Sequence, residues 1–210
     1  MASIVIFGGT GYAGSAIAAE AVRRGHSVTA VSRSGGAPSE DVTGREGSIH
    51  NAELVDELAG DADVIVVAVR ADGAGLRDAI GLLTGAAARH GARLGVVGGA
   101  GSLHVSEGGP RLVDTPEFPA QFKPEALAHA GVLDELRATP EEVDWFYVSP
   151  GAMFGAYAPG TATGQYRTGG DVLIVDADGN SEISGPDYAK AFVDEIESPA
   201  HRRRRFTVAH

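Results

Sequence analysis

Ile4-Val5-Ile6-Phe7 runs without a polar interruption into Gly8-Gly9-Thr10-Gly11-Tyr12-Ala13-Gly14. A short strand, Ser3 to Phe7, that is apolar at successive positions has no solvent face and belongs inside a sheet covered on both sides. The glycines that follow suit a chain turning sharply into a helix, because glycine takes left-handed backbone without steric cost and lets other backbone approach closely. Ala13 to Arg24 reads as that helix, with Ile17, Ala21 and Val22 on one face and Gly25 stopping it.

The same alternation continues along the chain. Ser27 to Val31 is a second strand, "REGSI" a short third one, and Ala52 to Ala59 a helix. Asp63 to Val69 is a second uninterrupted apolar run, followed by a helix over Leu76 to His90 and a strand over Arg93 to Val97. A polar stretch from Gly98 to Pro119 leads to a helix from Pro124 to Ala138 and a sixth strand, Trp145 to Val148. The remainder holds a glycine-rich loop, a strand at Val172 to Val175, a helix from Pro186 to Ile196, and a last strand at Phe206 to Val208. Strands separated by helix-length spacers pair in parallel through right-handed crossovers, which predicts an α/β doubly wound parallel sheet. No repeat or linker divides the chain, so residues 1–210 read as one domain, with loops of a small substrate region mainly in 149–210.

Charge and composition exclude several roles. A formal charge of −11 opposes a nucleic-acid surface, and Arg202-Arg203-Arg204-Arg205 reads as a solvated edge rather than an anion site. No apolar run approaches the roughly 18 residues of a membrane span, and no signal peptide precedes the first strand, so neither a membrane nor export is expected. The absence of cysteine removes disulfides, thiolate metal sites and a thiol nucleophile. It fits a cytoplasmic protein that holds no metal.

Gly9, Gly11 and Gly14 fit G-x-G-x-x-G, and Gly8, Gly11 and Gly14 fit G-x-x-G-x-x-G. Set between a first strand and a first helix, that spacing is the arrangement that cradles a dinucleotide pyrophosphate against the helix N-terminus. The end of the second strand discriminates between dinucleotides. An acid there would accept from the ribose 2′-hydroxyl of NAD; this chain has Ser32-Arg33-Ser34, and Arg33 suits a 2′-phosphate, which predicts NADP(H) in preference to NAD(H).

"FGGTGYAGSAI", the strand ending in "VSRS", and "VVGGAGSL" together resemble the atypical short-chain dehydrogenase/reductases, specifically the NmrA-like NAD(P)H-binding group. Within it the sequence is most similar to small proteins called NADH-flavin reductases, of the flavin/biliverdin reductase B type. "LVDTPEFP", "VSPGAMF" and "ISGPDYAKAFVDEIE" extend the resemblance over nearly the whole chain. It implies a Rossmann fold and NADP(H) bound along Gly8 to Gly14, at Arg33, and at the loops near Val69, Arg70, Gly98 and Gly99. One departure is Gly47-Ser48, where members often carry Gly-Asp near the adenine.

The proton-donating tyrosine of typical members is followed four residues later by lysine. Only Lys123 and Lys190 exist here, four residues after Pro119 and Pro186, so that pair is absent. Carbonyl reduction and sugar epimerisation lose their acid. Hydride transfer to FMN, another flavin or a quinone needs mainly stacking at the right distance, with solvent supplying the proton. Ser102 and His104, after the fifth strand, are the candidate catalytic pair at the carboxyl edge of the sheet. Met153, Phe154, Tyr157 and Tyr166 are candidates to stack a planar acceptor, on a loop with five glycines or prolines from Gly155 to Gly169. The expected function is an NADPH-dependent oxidoreductase, monomeric or homodimeric, with a small planar acceptor. The alternative is a non-catalytic NADP(H) sensor of the NmrA-like kind.

Overall fold

The computed structural model describes residues 1–71 and 75–210. Eight strands form one sheet: β1 (Ser3–Phe7), β2 (Ser27–Ser32), β3 (Thr43–Glu46), β4 (Val64–Val67), β5 (Arg93–Val97), β6 (Trp145–Pro150), β7 (Arg167–Gly169) and β8 (Arg204–Ala209). Their spatial order is β3-β2-β1-β4-β5-β6-β8-β7, parallel except for the antiparallel pairing of β7 with β8. The helices are α1 (Tyr12–Arg23), α2 (Ala52–Gly60), α3 (Leu76–His90), α4 (Lys123–Arg137) and α5 (Gly185–Glu197).

The uninterrupted apolar strands are explained by two separate cores. Ile4 and Ile6 of β1 pack with Ile17, Ala18 and Ala21 of α1 and with Phe192 and Ile196 of α5. Val5 and Phe7 face the other way, into a core with Leu54 and Leu58 of α2, Leu83 of α3 and Leu133 of α4. Successive side chains on a strand point to opposite faces, so a strand between two helical layers must be apolar at every position. The doubly wound sheet is therefore the fold, and it reverses direction of winding between β1 and β4. Such a switch point opens a crevice at the carboxyl ends of the strands.

Three expectations are corrected. The apolar run from Asp63 to Val69 is strand only at Val64–Val67, because Ala68, Val69 and Arg70 leave the sheet at that crevice. The third strand lies at Thr43–Glu46 rather than across "REGSI", and Gly47 donates to the Ser32 carbonyl where the strand ends. Val172 to Val175 forms no strand; Val172 makes only an isolated bridge to His104, and the edge position beside β8 is taken by Arg167–Gly169.

The arginine run is not a solvated edge throughout. Arg205 is buried, donates from Nε to Asp171 at 2.7 Å and from Nη1 to the Ser102 hydroxyl at 2.9 Å. Arg203 has a φ of 52° and its guanidinium gathers the carbonyls of Thr139, Pro140 and Val143, tying the turn after α4 to the sheet. Those contacts compensate the left-handed backbone that a non-glycine residue adopts there. Among the described residues no helix is long and apolar enough to cross a membrane.

Candidate functional site

The glycine turn is shaped by backbone packing. Gly8 has a φ of +83°, and a Cβ on it would lie 2.3 Å from the Ala68 carbonyl oxygen at the end of β4. A Cβ on Gly14 would lie 2.2 Å from the Gly8 carbonyl oxygen, and one on Gly9 2.6 Å from the Ala30 methyl. These three are required by the fold itself, since real side chains do not approach backbone so closely. Gly11 differs. Its Cβ would meet nothing nearer than the Gly8 carbonyl at 3.3 Å, so internal packing alone does not demand glycine there.

Gly11 is also the N-cap of α1, with no side-chain cap and no acidic residue in the first turn. The leading N–H groups of the helix, at Tyr12, Ala13 and Gly14, therefore have no carboxylate or hydroxyl cap among the described residues. A phosphate satisfies those donors and the positive end of the helix, and a glycine at Gly11 keeps the approach clear. Thr10 sits on the outer side of the turn, exposed. The residues present thus fit a dinucleotide pyrophosphate.

At the end of β2, Ser32 is buried and its hydroxyl donates to the Gly36 carbonyl at 3.3 Å. Arg33 and Ser34 are exposed beyond it. Arg33 makes no ion pair with a described residue.

A cleft of about 780 Å³ opens next to the turn, bounded by the residues that follow β4, β5 and β6 and by the first half of α4. Its floor is Gly98-Gly99, held from below. Gly99 N–H donates to the Tyr147 hydroxyl at 3.2 Å, that hydroxyl donates to the His129 carbonyl at 3.3 Å, and Ser149 Oγ donates to the Gly99 carbonyl at 3.0 Å. A Cβ on Gly98 would fall 2.0 Å from the Tyr147 ring. Burial pushes the Tyr147 phenol well above its ordinary pKa, so it stays a neutral, fixed hydrogen-bonding group. His129 reaches the cleft from α4, its ring edge-on to Tyr147.

The far wall is aromatic. Phe154 packs edge-on to Tyr12 at 5.4 Å between centroids and tilts over Tyr188 at 4.5 Å. Tyr157, 61 % exposed, stacks on Phe122 of the segment leading into α4 at 5.6 Å. Met153, 49 % exposed, is pinned by its backbone to Ser181. The loop is fastened at two further points. Tyr12 Oη donates to the Pro159 carbonyl at 3.2 Å and accepts from Gly185 N–H at 3.1 Å. Buried Asp187 accepts from the N–H groups of Thr163 and Gly164, from the Ser184 hydroxyl and from His210 Nε2.

Of the residues singled out from the sequence, Tyr12, Ala13, Val69, Arg70, Gly98, Gly99, Met153, Phe154 and Tyr157 converge on this cleft. Ser102, His104 and Tyr166 do not line it. The Ser102 hydroxyl accepts from Arg205, and His104 Nδ1 donates to the Gly109 carbonyl at 2.7 Å. The Tyr166 hydroxyl donates to Asp194 at 2.5 Å on the α5 side of the sheet. Tyr188, two residues before Lys190, is buried and donates to the Val148 carbonyl, while Lys190 pairs with Asp194. No lysine lines the cleft among the described residues, and no group of acidic and histidine side chains there could hold a metal ion.

His129, Tyr147, Phe122 and Glu125 were not anticipated. His129, Val132, Leu133 and Leu136 share one face of α4, and that helical spacing was the available signal for His129. Tyr147 lies inside the apolar run Trp145 to Val148 and gives no sign of its role.

The family model described as NAD(P)H-binding matches residues 8–199. "Uncharacterized protein YwnB" of Bacillus subtilis is 39% identical over 216 residues, covering 98% of this chain and 97% of that protein. A Burkholderia pseudomallei structure assigned as an exported protein is 40% identical with a TM-score of 0.87, covering 100% of each chain. A Streptococcus pneumoniae structure assigned as an NADH-flavin reductase is 35% identical with a TM-score of 0.86, again covering 100% of each.

Proposed function

The chain belongs to the NAD(P)H-binding family, and from that premise we propose that it is an NADPH-preferring reductase of a flavin, quinone or similar planar acceptor. The observation that carries the reading is the cleft's lining. It borders the glycine turn, its far wall is aromatic, and it contains no tyrosine–lysine acid pair among the described residues. The S. pneumoniae relative's assignment points the same way.

When bound, the nicotinamide supplies a hydride with its electron pair. The chain's residues then have three tasks. Tyr12, Ala13 and Gly14 N–H groups hold the pyrophosphate, and the exposed Arg33 offers a forked, permanently charged donor set to a 2′-phosphate. The Gly98-Gly99 floor, fixed by Tyr147 and Ser149, sets the depth at which a ring can lie, and positioning of this kind is the main contribution to a hydride transfer. Met153, Phe154 and Tyr157 offer faces for a flat acceptor. The cleft is open to solvent, so water delivers the proton that the reduced acceptor takes up. A cytoplasmic location belongs to the same reading, supported by the lack of cysteine and the supply of reduced nicotinamide it requires; fractionation checks it.

The test mixes purified protein with NADPH and a panel of FMN, riboflavin and quinones and follows loss of nicotinamide absorbance. Turnover with at least one acceptor is expected. Micromolar NADPH binding without turnover of any of them overturns the reductase reading and leaves a ligand sensor.

A further inference from the structure

The rim of the cleft sets two carboxylates, Glu117 and Glu125, against one guanidinium, Arg70. Among the described lining residues Arg70 is the single guanidinium or ammonium group, and it is engaged by Glu125, with Nη2 3.1 Å from the carboxylate across the cleft mouth. Glu117, exposed on the segment before α4, adds a second carboxylate that forms no ion pair with a described residue. The N-terminal end of α4 would attract an anion, but Glu125 stands in its first turn and offsets that end. Lys123 lies at the same terminus, exposed and outside the lining. The chain as a whole is at −11.

We propose that Glu117 and the Arg70–Glu125 pair make this cleft selective for planar acceptors that carry no phosphate or carboxylate. This rests on the hydride-transfer reading above and names the class of acceptor within it. Both carboxylates line the cleft of about 780 Å³ in which an acceptor is seated, and charges act over about 10 Å at moderate salt. A bound dinucleotide adds further negative charge at the glycine turn, on the border of the same cleft. An acceptor phosphate would meet repulsion without a free cation to receive it, whereas an uncharged ring system meets only the apolar walls.

Riboflavin and FMN share ring and side chain and differ by the terminal phosphate, which makes them the probe. At low ionic strength kcat/KM with NADPH is expected to favour riboflavin on the order of tenfold. E117Q and E125Q should each narrow that ratio, and added salt should narrow it in the unaltered protein. FMN used as well as or better than riboflavin overturns the proposal, as does a ratio that neither substitution nor salt moves. If neither flavin is reduced, turnover of the quinones decides the hydride-transfer reading separately, and quenching of flavin fluorescence on binding decides the charge question. Tighter binding of riboflavin sustains the selectivity, and equal binding, or none, overturns it.

Discussion

The glycine turn and the Met153–Tyr157 wall border the same cleft and are built in opposite ways. In the turn, backbone packs against backbone and the Ala30 methyl: Gly8, Gly9 and Gly14 leave no room for a single added carbon. In the wall, side chains do everything, and two of them stand about half exposed. A site made of backbone fixes one ligand geometry and cannot drift without losing the fold. A site made of exposed side chains on a loop can change its guest with little effect on stability. On the function proposed above, the contrast leaves the glycine-turn end of the cleft generic to dinucleotides and the other end free to specialise.

Substitutions that respect or violate this division test it. Gly14→Ala places a methyl 2.2 Å from the Gly8 carbonyl, and should cost about 3 kcal/mol of stability, the upper end of overpacking, together with cofactor binding. Gly11→Ala, at 3.3 Å from the same oxygen, should keep its melting temperature within a few degrees and lose NADPH affinity only. Thermal melts beside NADPH titrations separate the two; equal destabilisation would erase the distinction between fold glycines and ligand glycine. Arg33→Ala comes next, with NADPH weakened by about 1.5–3 kcal/mol and NADH nearly unchanged, read by competitive titration. Equal weakening of both would remove the 2′-phosphate role.

Smaller effects are expected on the wall. Burial alone would raise the Asp187 pKa, but the N–H of Thr163, the Ser184 hydroxyl, His210 and the N–H of Gly164 more than offset it, and the carboxyl ends below its ordinary 3.8. The folded state then holds this proton less readily than the unfolded one. The associated stability is present above pH 3.8 and is lost as the pH falls through the lower folded value. The Gly8 to Gly14 turn contains no acidic or basic side chain. Acid should therefore raise amide exchange in residues 160–165 before residues 8–15. Asp187→Asn should do so at neutral pH, at about 1–2 kcal/mol, raising the acceptor KM with little change in NADPH affinity. Tyr157→Ala removes one aromatic stack, about 0.5–1.5 kcal/mol, and should raise the acceptor KM a few-fold with the melting temperature unmoved.

Legibility in the sequence followed the same division. α3 and β5 begin and end where apolar periodicity, Gly91 and the flanking polar residues put them, because those signals are local. The turn was legible because its chemistry is the absence of side chains in a fixed order. Val172 to Val175 looked like a strand by residue type, yet a strand also needs an unoccupied edge, and β-branched residues do not reveal whether Arg167–Gly169 already holds it. Arg205 looked exposed beside three other arginines, and only the folded chain brings Asp171 and Ser102 to it. Tyr147 beneath Gly98 and Phe122 against Tyr157 are contacts between distant segments that no spacing announces.

β7 has a single hydrogen-bonded neighbour in the sheet, β8, and β8 is synthesised after it. During translation the strands β1 to β5 find their partners as they emerge, whereas Arg167–Gly169 must wait, unpaired, until Arg204–Ala209 leaves the ribosome and slots between it and β6. Chains fold from the N-terminal side at the pace of synthesis, and contacts distant in sequence close last. Ser149 shares this delay, for its carbonyl accepts from Thr207 of β8 while its own hydroxyl steadies Gly99. A nascent chain stalled before residue 204 would therefore acquire its glycine turn ahead of a finished cleft floor.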